Sequence, residues 1–176
     1  ETDAVQHLIL ADTHDILLFF TNKGRVTALK CYDIPPAFSR TAKGVHVNNL
    51  MNMEGGERVT APIQVKDFQS GGYIVMASRN GEIKKTMLSA FANIRGKGLI
   101  AFKLERGDEL VSVALATDED EYIFITQQGQ ALRAKVGALR SASRTSGGVR
   151  GIKLQSRDKV ISMDIIIPDK HLIAIS

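Results

Sequence analysis

A four-strand pattern recurs along this chain at intervals of about 50 residues, and that self-similarity constrains the fold more than any single motif. Apolar alternations occupy 5–10 (VQHLIL), 59–65 (VTAPIQV), 110–115 (LVSVAL) and 160–165 (VISMDI). Each leads into a polar turn: ADTHD, KDFQSGG, TDEDE and PDK. A second apolar run follows at 16–20 (ILLFF), 73–77 (YIVMA), 122–126 (YIFIT) and 171–175 (HLIAI). Period-two and short continuous apolar runs bounded by turn residues read as strands, so each pair of runs is expected to form a hairpin.

The first three copies continue into a glycine turn, at Asn22-Lys23-Gly24, Arg79-Asn80-Gly81 and Gln127-Gln128-Gly129. Asn80-Gly81 is a strong tight-turn signal, because both residues tolerate positive φ. A third strand comes next (RVTALK, EIKKTM, QALRAK). After an irregular stretch, a glycine precedes a leucine by six positions: Gly44 and Leu50, Gly98 and Leu104, Gly148 and Leu154. The unit thus holds four strands, and it occurs three times with the first half of a fourth copy. Repeats of this size and strand content predict propeller-like blades. The expected units are about 5–58, 59–109, 110–159 and a truncated 160–176, within one all-β domain spanning 1–176. Helix is expected to be scarce, with one short turn at most in 85–93.

Charge is sorted by position within the repeat. The segments carrying the first two strands (1–22, 59–78, 110–128 and 160–176) contain 2 basic and 11 acidic residues, and the rest of the chain holds 21 basic and 8 acidic. The net charge of +4 is the remainder of two large opposing biases. In a repeat array, equivalent positions share a rim or face, so a positional bias becomes a band in space. An acidic rim is expected at the turns after the first strands, and a basic band at the glycine turns, third strands and following loops. The candidate contacts for a polyanion are Lys23, Arg25, Arg40, Lys43, Lys84, Lys85, Arg95, Lys97, Arg133, Lys135, Arg140, Arg144, Arg150 and Lys153. The stretches RTAKG (40–44), RGKG (95–98) and RTSGGVRG (144–151) set bases beside glycines, where backbone N–H groups can approach phosphate oxygens. An alternative reading has these bases only blunting exposed outer strands against edge pairing.

Several functions are excluded or lack support. One Cys among 176 residues rules out a disulfide framework and points to a reducing compartment. No apolar run approaches the roughly 18 residues of a membrane span. The opening ETDAVQ, without Met or leader, reads as a fragment or processed product. His7, His14, His46 and His171 form no metal-ligand spacing, and the run Asp118-Glu119-Asp120-Glu121 lacks the spaced ligands and turn glycine of a calcium loop. Arg95-Gly96-Lys97-Gly98 lacks the spacing of a phosphate-binding loop. No catalytic constellation, metal site or cofactor is expected. Trp is absent and aromatics make up 6%, so stacking platforms for single strands are sparse.

The stretches THDILLFFTNKGRVTALKCYDIP (13–35), NGEIKKTMLSAF (80–91) and TSGGVRGIKL (145–154) resemble the C-terminal domain of the DNA gyrase A polypeptide. Gly24, Arg25, Val26, Lys30, Tyr32, Ile34 and Pro35 favour gyrase over the topoisomerase IV counterpart. The resemblance covers essentially the whole chain. It implies a β-pinwheel, a propeller-like ring of four-stranded blades in which neighbours exchange a strand. It further implies wrapping of duplex DNA on a basic perimeter, in support of negative supercoiling by an ATP-dependent type II topoisomerase.

The implied partners are double-stranded DNA, the rest of the gyrase A polypeptide and the gyrase B polypeptide. The implied location is the bacterial cytoplasm, with the nucleoid. The fragment itself is expected to be non-catalytic and monomeric. The family's hallmark box, Q-R-R-G-G-[RK]-G, is not in this sequence; in the family it precedes the segment that 13–35 resembles. A propeller-like protein-interaction scaffold is the alternative, though its G-H…W-D signature is missing too.

Overall fold

The computed structural model describes residues 5–39, 41–94 and 98–168. Eleven strands dominate it: β1 (Ile16–Thr21), β2 (Arg25–Lys30), β3 (Val59–Val65), β4 (Tyr73–Ser78), β5 (Glu82–Met87), β6 (Leu99–Ile100), β7 (Leu110–Ala116), β8 (Glu121–Thr126), β9 (Ala131–Lys135), β10 (Val149–Arg150) and β11 (Val160–Ile166). Helix is confined to Val47–Leu50 and to single 3-10 turns, one of them Leu88–Phe91 within the stretch expected to hold a short turn. The chain is an all-β pinwheel built of antiparallel blades.

The pairing corrects one expectation. The first and second strands of a repeat do not form a hairpin. Instead β3 pairs with β1 of the preceding repeat, β7 with β4, and β11 with β8. The true hairpins are β1–β2, β4–β5 and β8–β9 across the glycine turns. A blade is therefore offset by one strand from the sequence repeat, with sheet orders β3-β1-β2-β6, β10-β5-β4-β7 and β11-β8-β9. The polar stretches after the first strands are crossovers between blades, long enough to carry the chain over.

The same rule explains residues 5–10, which form no strand. A first strand needs the second strand of an earlier repeat, and the described residues contain none for it. Val5, Leu8 and Leu10 are consequently exposed. The apolar run 171–175 lies outside the described residues.

First strands form the hub: β3 packs against β7, and β7 against β11. The middle blade is buried on both faces. Along β4, Ile74 and Met76 enter the core shared with the first blade, while Val75 and Ala77 enter the core shared with the third. This is why 73–77 reads as a continuous apolar run rather than an alternation. Phe20 and Phe91 meet edge-on at 5.9 Å in the first core, and Tyr122 and Phe124 at 5.5 Å in the second.

Blades are closed at the glycine turns. Gly24, at φ +70°, accepts hydrogen bonds on its carbonyl from the N–H groups of Ala101 and Phe102. Gly81, at φ +88°, receives Gly151 and Ile152 in the same way. A Cβ on Gly24 would lie 2.3 Å from the Phe102 carbonyl oxygen. Leu104 and Leu154 of the Gly…Leu motif pack over these two glycines. The turn glycine of one repeat and the leucine of the next are thus partners.

Candidate nucleic-acid interface

The strand registers place the repeat's charges at identifiable ends. One end of the blades carries the crossovers, with Asp12, Asp67, Asp118, Glu119 and Asp120. Lys66 at this end is paired with Asp12 at 2.9 Å. The other end carries the glycine turns, and Arg25, Lys30, Arg133, Lys135 and Arg150 lie on strands away from the hub.

Of nine candidate contacts, Arg25, Arg133, Lys135 and Arg150 lie on strands away from the hub, and Lys23, Lys43, Arg140, Arg144 and Lys153 lie in turns and loops. Lys23 sits in the first glycine turn, its Nζ donating to the Gly55 carbonyl at 2.8 Å. Arg25 begins β2 and reaches Glu54 at 2.6 Å and Glu57 at 3.5 Å. Arg133, in β9, pairs with Glu121 on the neighbouring strand. The Arg25–Glu54 and Arg133–Glu121 pairs each have one partner well exposed, and such surface pairs contribute roughly 0–1 kcal/mol, so a phosphate oxygen can compete for the base. Lys43, Lys135, Arg140, Arg150 and Lys153 are exposed, and none has an ion-pair partner among the described residues.

Arg25 and Arg144 come together although they are far apart in sequence. Arg25 stands opposite Ile100 in the β2–β6 register, and Arg144 Nη1 donates to the Ile100 carbonyl at 2.5 Å. Arg150 and Lys153 border an open cleft of about 640 Å³ that also contains Asn80, Glu82, Glu105 and Asp108. Burial, with Asp108 and Glu105 nearby, holds the Glu82 carboxyl above its usual range. The cleft carries both signs of charge and is not an anion pocket. Arg40, Arg95 and Lys97 lie outside the described residues.

Lys84 and Lys85 require a correction, because both are interior. They alternate onto the two buried faces of β5, and are 2% and 4% exposed. Lys84 Nζ donates to three carbonyls, those of Ala101 (2.8 Å), Arg144 (2.6 Å) and Ser146 (2.9 Å). Burial first, and then the charge of Arg144, lower its pKa to about 8. Lys85 Nζ lies 2.6 Å from Asp118, donates to the Val136 carbonyl at 3.1 Å, and sits 4.5 Å from the Tyr73 ring centroid. Neither amine can face an external polyanion.

Sequence reasoning passed over a recurring acid two residues before each hub strand. Asp108 Oδ1 accepts from the Asn80 backbone N–H at 3.0 Å, and Asp158 Oδ1 from Gln128 at 3.0 Å. Glu57 accepts from the Thr21 hydroxyl at 2.6 Å. Asp108 and Asp158 thus tie the start of a hub strand to the glycine turn of the blade it completes, and Glu57 ties it to the last residue of β1, just before that turn. The signal was available as the aligned column Glu57, Asp108 and Asp158. Among the described residues, no group of three His, Cys, Asp or Glu side chains is placed to hold a metal ion. No helix there is long and apolar enough to cross a membrane.

The family described as DNA gyrase C-terminal domain, beta-propeller, matches residues 15–66, 72–117 and 120–167. Those segments follow the structural blades (β1 to β3, β4 to β7 and β8 to β11) and not the sequence repeats. The DNA gyrase A polypeptide of Dehalogenimonas lykanthroporepellens is 39% identical over 176 residues, all of this chain and 22% of its own length. That of Salmonella typhimurium is 42% identical over 168 residues, 96% of this chain and 19% of its own. The chain therefore spans about a fifth of the curated relatives it matches.

A crystal structure of the C-terminal domain of DNA topoisomerase IV superposes with TM-score 0.81 at 29% identity, over 88% of this chain and 48% of that one. A DNA gyrase A C-terminal domain structure superposes with TM-score 0.71 over 87% of this chain and 48% of its own; at 22% identity it supports the fold alone.

Proposed function

The chain belongs to the DNA gyrase C-terminal domain family, and from that premise we propose that it binds duplex DNA and wraps it along its base-bearing outer side. One observation carries the reading. Lys43, Lys135, Arg140, Arg150 and Lys153 are exposed without ion-pair partners among the described residues, while the crossover end concentrates acids. A duplex is thereby favoured on one side of the blades and repelled from the other.

The contacts are to phosphate, made by Lys23, Arg25, Lys43, Arg133, Lys135, Arg140, Arg144, Arg150 and Lys153. Arg40, Arg95 and Lys97 join them on sequence grounds alone. Phosphate contacts fix register and carry no base information, so binding is not sequence-specific. Bending a 20–30 bp site by 40–90° costs about 1–6 kcal/mol, which the contacts spread over successive blades must offset.

In this reading residues 1–176 act as one DNA-handling, non-catalytic domain of an ATP-dependent type II topoisomerase, with no cofactor of their own. The partners are double-stranded DNA and the remaining gyrase A and gyrase B polypeptides, in the bacterial cytoplasm. A wrap of fixed hand gives strand passage its direction, toward negative supercoils.

Duplex affinity measured by anisotropy between about 50 and 200 mM salt tests the binding. The expected result is similar affinity for unrelated sequences and a steep linear fall of log K with log salt. A missing signal at the lowest salt, or an affinity indifferent to salt, sinks the reading in favour of a protein-interaction scaffold.

A further inference from the structure

Lys84 touches nothing outside the molecule, yet it grips the segment that carries two of the proposed DNA contacts. Its Nζ sits where three chain segments converge: β5 itself, the chain leaving β6 at Ala101, and the loop containing Arg144 and Ser146. Three carbonyl oxygens converge on one nitrogen. An ammonium group has three N–H donors and no acceptor, so it satisfies such a trio fully, which a hydroxyl or a neutral amide cannot do. The Phe102 ring lies 5.5 Å from the same nitrogen. The charged group facing it is Arg144.

The loop is pinned at two further points. The Lys103 backbone N–H donates to the Ser146 carbonyl at 3.1 Å, and the Arg144 guanidinium holds the Ile100 carbonyl. A few residues on, the chain becomes β10 and presents Arg150 opposite Glu82. The equivalent position is Thr27 in the first repeat and Leu132 in the third. Only the second repeat places a cation there.

We propose that Lys84 is a positioning residue of the DNA interface: its ammonium group, by holding the carbonyls of Ala101, Arg144 and Ser146, sets where Arg144 and Arg150 meet the phosphate backbone. This rests on the reading that the outer side binds duplex DNA. Lys84 thus acts on DNA through Arg144, without a contact of its own.

The test is a double-mutant cycle on duplex affinity in the full chain at low salt. Lys84→Thr, which installs the residue found at 27, is combined with Arg144→Ala and, as a remote control, with Lys135→Ala. Lys84→Thr alone is expected to weaken binding roughly three- to tenfold. Its effect shrinks when Arg144 is already removed and is unchanged when Lys135 is removed. Lys84→Arg, which keeps the charge and several donors, recovers part of the loss. Hydrogen exchange supplies a readout without DNA, with the Lys103 amide exchanging faster in Lys84→Thr while the Gln128 amide is unaffected.

A folded Lys84→Thr with unaltered affinity, or equal losses in both backgrounds, overturns the positioning role while duplex binding stands. If Lys84→Thr does not fold, the comparison of Lys84→Arg with wild type decides: a Lys103 amide and an affinity both unmoved by the change of donor geometry contradict the proposal. Wild-type protein that does not bind duplex at all overturns both readings.

Discussion

The ammonium group of Lys85 lies 2.6 Å from the carboxylate of Asp118, and the pair joins the middle blade to the crossover entering the third. The partners are unequal: the Lys85 side chain is 4% exposed and that of Asp118 50%. Removing either has different consequences. Asp118→Asn leaves a buried ammonium without its counter-ion, whereas Lys85→Met leaves a carboxylate that water can solvate. The expected order of urea midpoints is wild type, then Lys85→Met, then Asp118→Asn. The reverse order of the two variants would show that packing around Lys85, and not its charge, matters most.

Acid weakens the fold through the same group. The hydrogen bond from Lys85, and after it the one from Tyr73, hold the Asp118 carboxyl below its usual value of 3.8 despite partial desolvation. At Asp158 burial works the other way, yet the Thr126 hydroxyl and the Gln128 and Lys159 amides prevail and lower it too. A depressed native carboxyl contributes stability that is fully present above 3.8 and is lost as pH falls through the native value. Thermal midpoints from pH 5 downward are expected to fall more steeply for wild type than for Asp158→Asn.

Alkali acts in the opposite sense through Lys84. Its native pKa of about 8 lies below the ordinary 10.5, so between those values the unfolded chain binds more protons than the native one. The stability of wild type relative to Lys84→Thr is therefore expected to rise between about pH 8 and 10.5. Chemical denaturation across that range measures it, and a falling difference would contradict burial of the amine.

The blade repeat was legible because apolar alternation and glycine spacing are local signals. Strand partners were not: 59–65 and 73–77 are adjacent in sequence and joined by a short polar stretch, which is also how a hairpin looks. Only the hub packing of β3 against β7 separates the two arrangements. Lys84 and Lys85 were misplaced for a related reason. A third strand reads as an outer strand until the middle blade is seen to be covered on both faces. Lys135, Arg140, Arg150 and Lys153 are exposed, because surface bases need no tertiary partner to be where the repeat puts them.

The glycine turns give a graded test of blade closure. Gly24→Ala combines a left-handed backbone with a contact of 2.3 Å to the Phe102 carbonyl. Gly107, at φ +84°, has nothing within 4 Å of a Cβ. Gly107→Ala is expected to cost about 1–2 kcal/mol, the conformational penalty alone, and Gly24→Ala distinctly more. Equal losses in urea unfolding would mean that β6 does not close on the turn.

Single substitutions of Lys135, Arg140, Arg150 or Lys153 by Ala are expected to weaken duplex binding about equally for all sequences. Each should reduce the slope of log K against log salt by roughly one. An effect confined to one sequence would indicate base contact in place of phosphate contact.

The most direct test of wrapping is ligation of nicked circular DNA in the presence of the full chain at low salt, followed by resolution of the topoisomers. The expected result is a linking-number change of one consistent sign that grows with protein per circle. Circles that are demonstrably bound yet close with the linking number of free DNA would contradict the central claim.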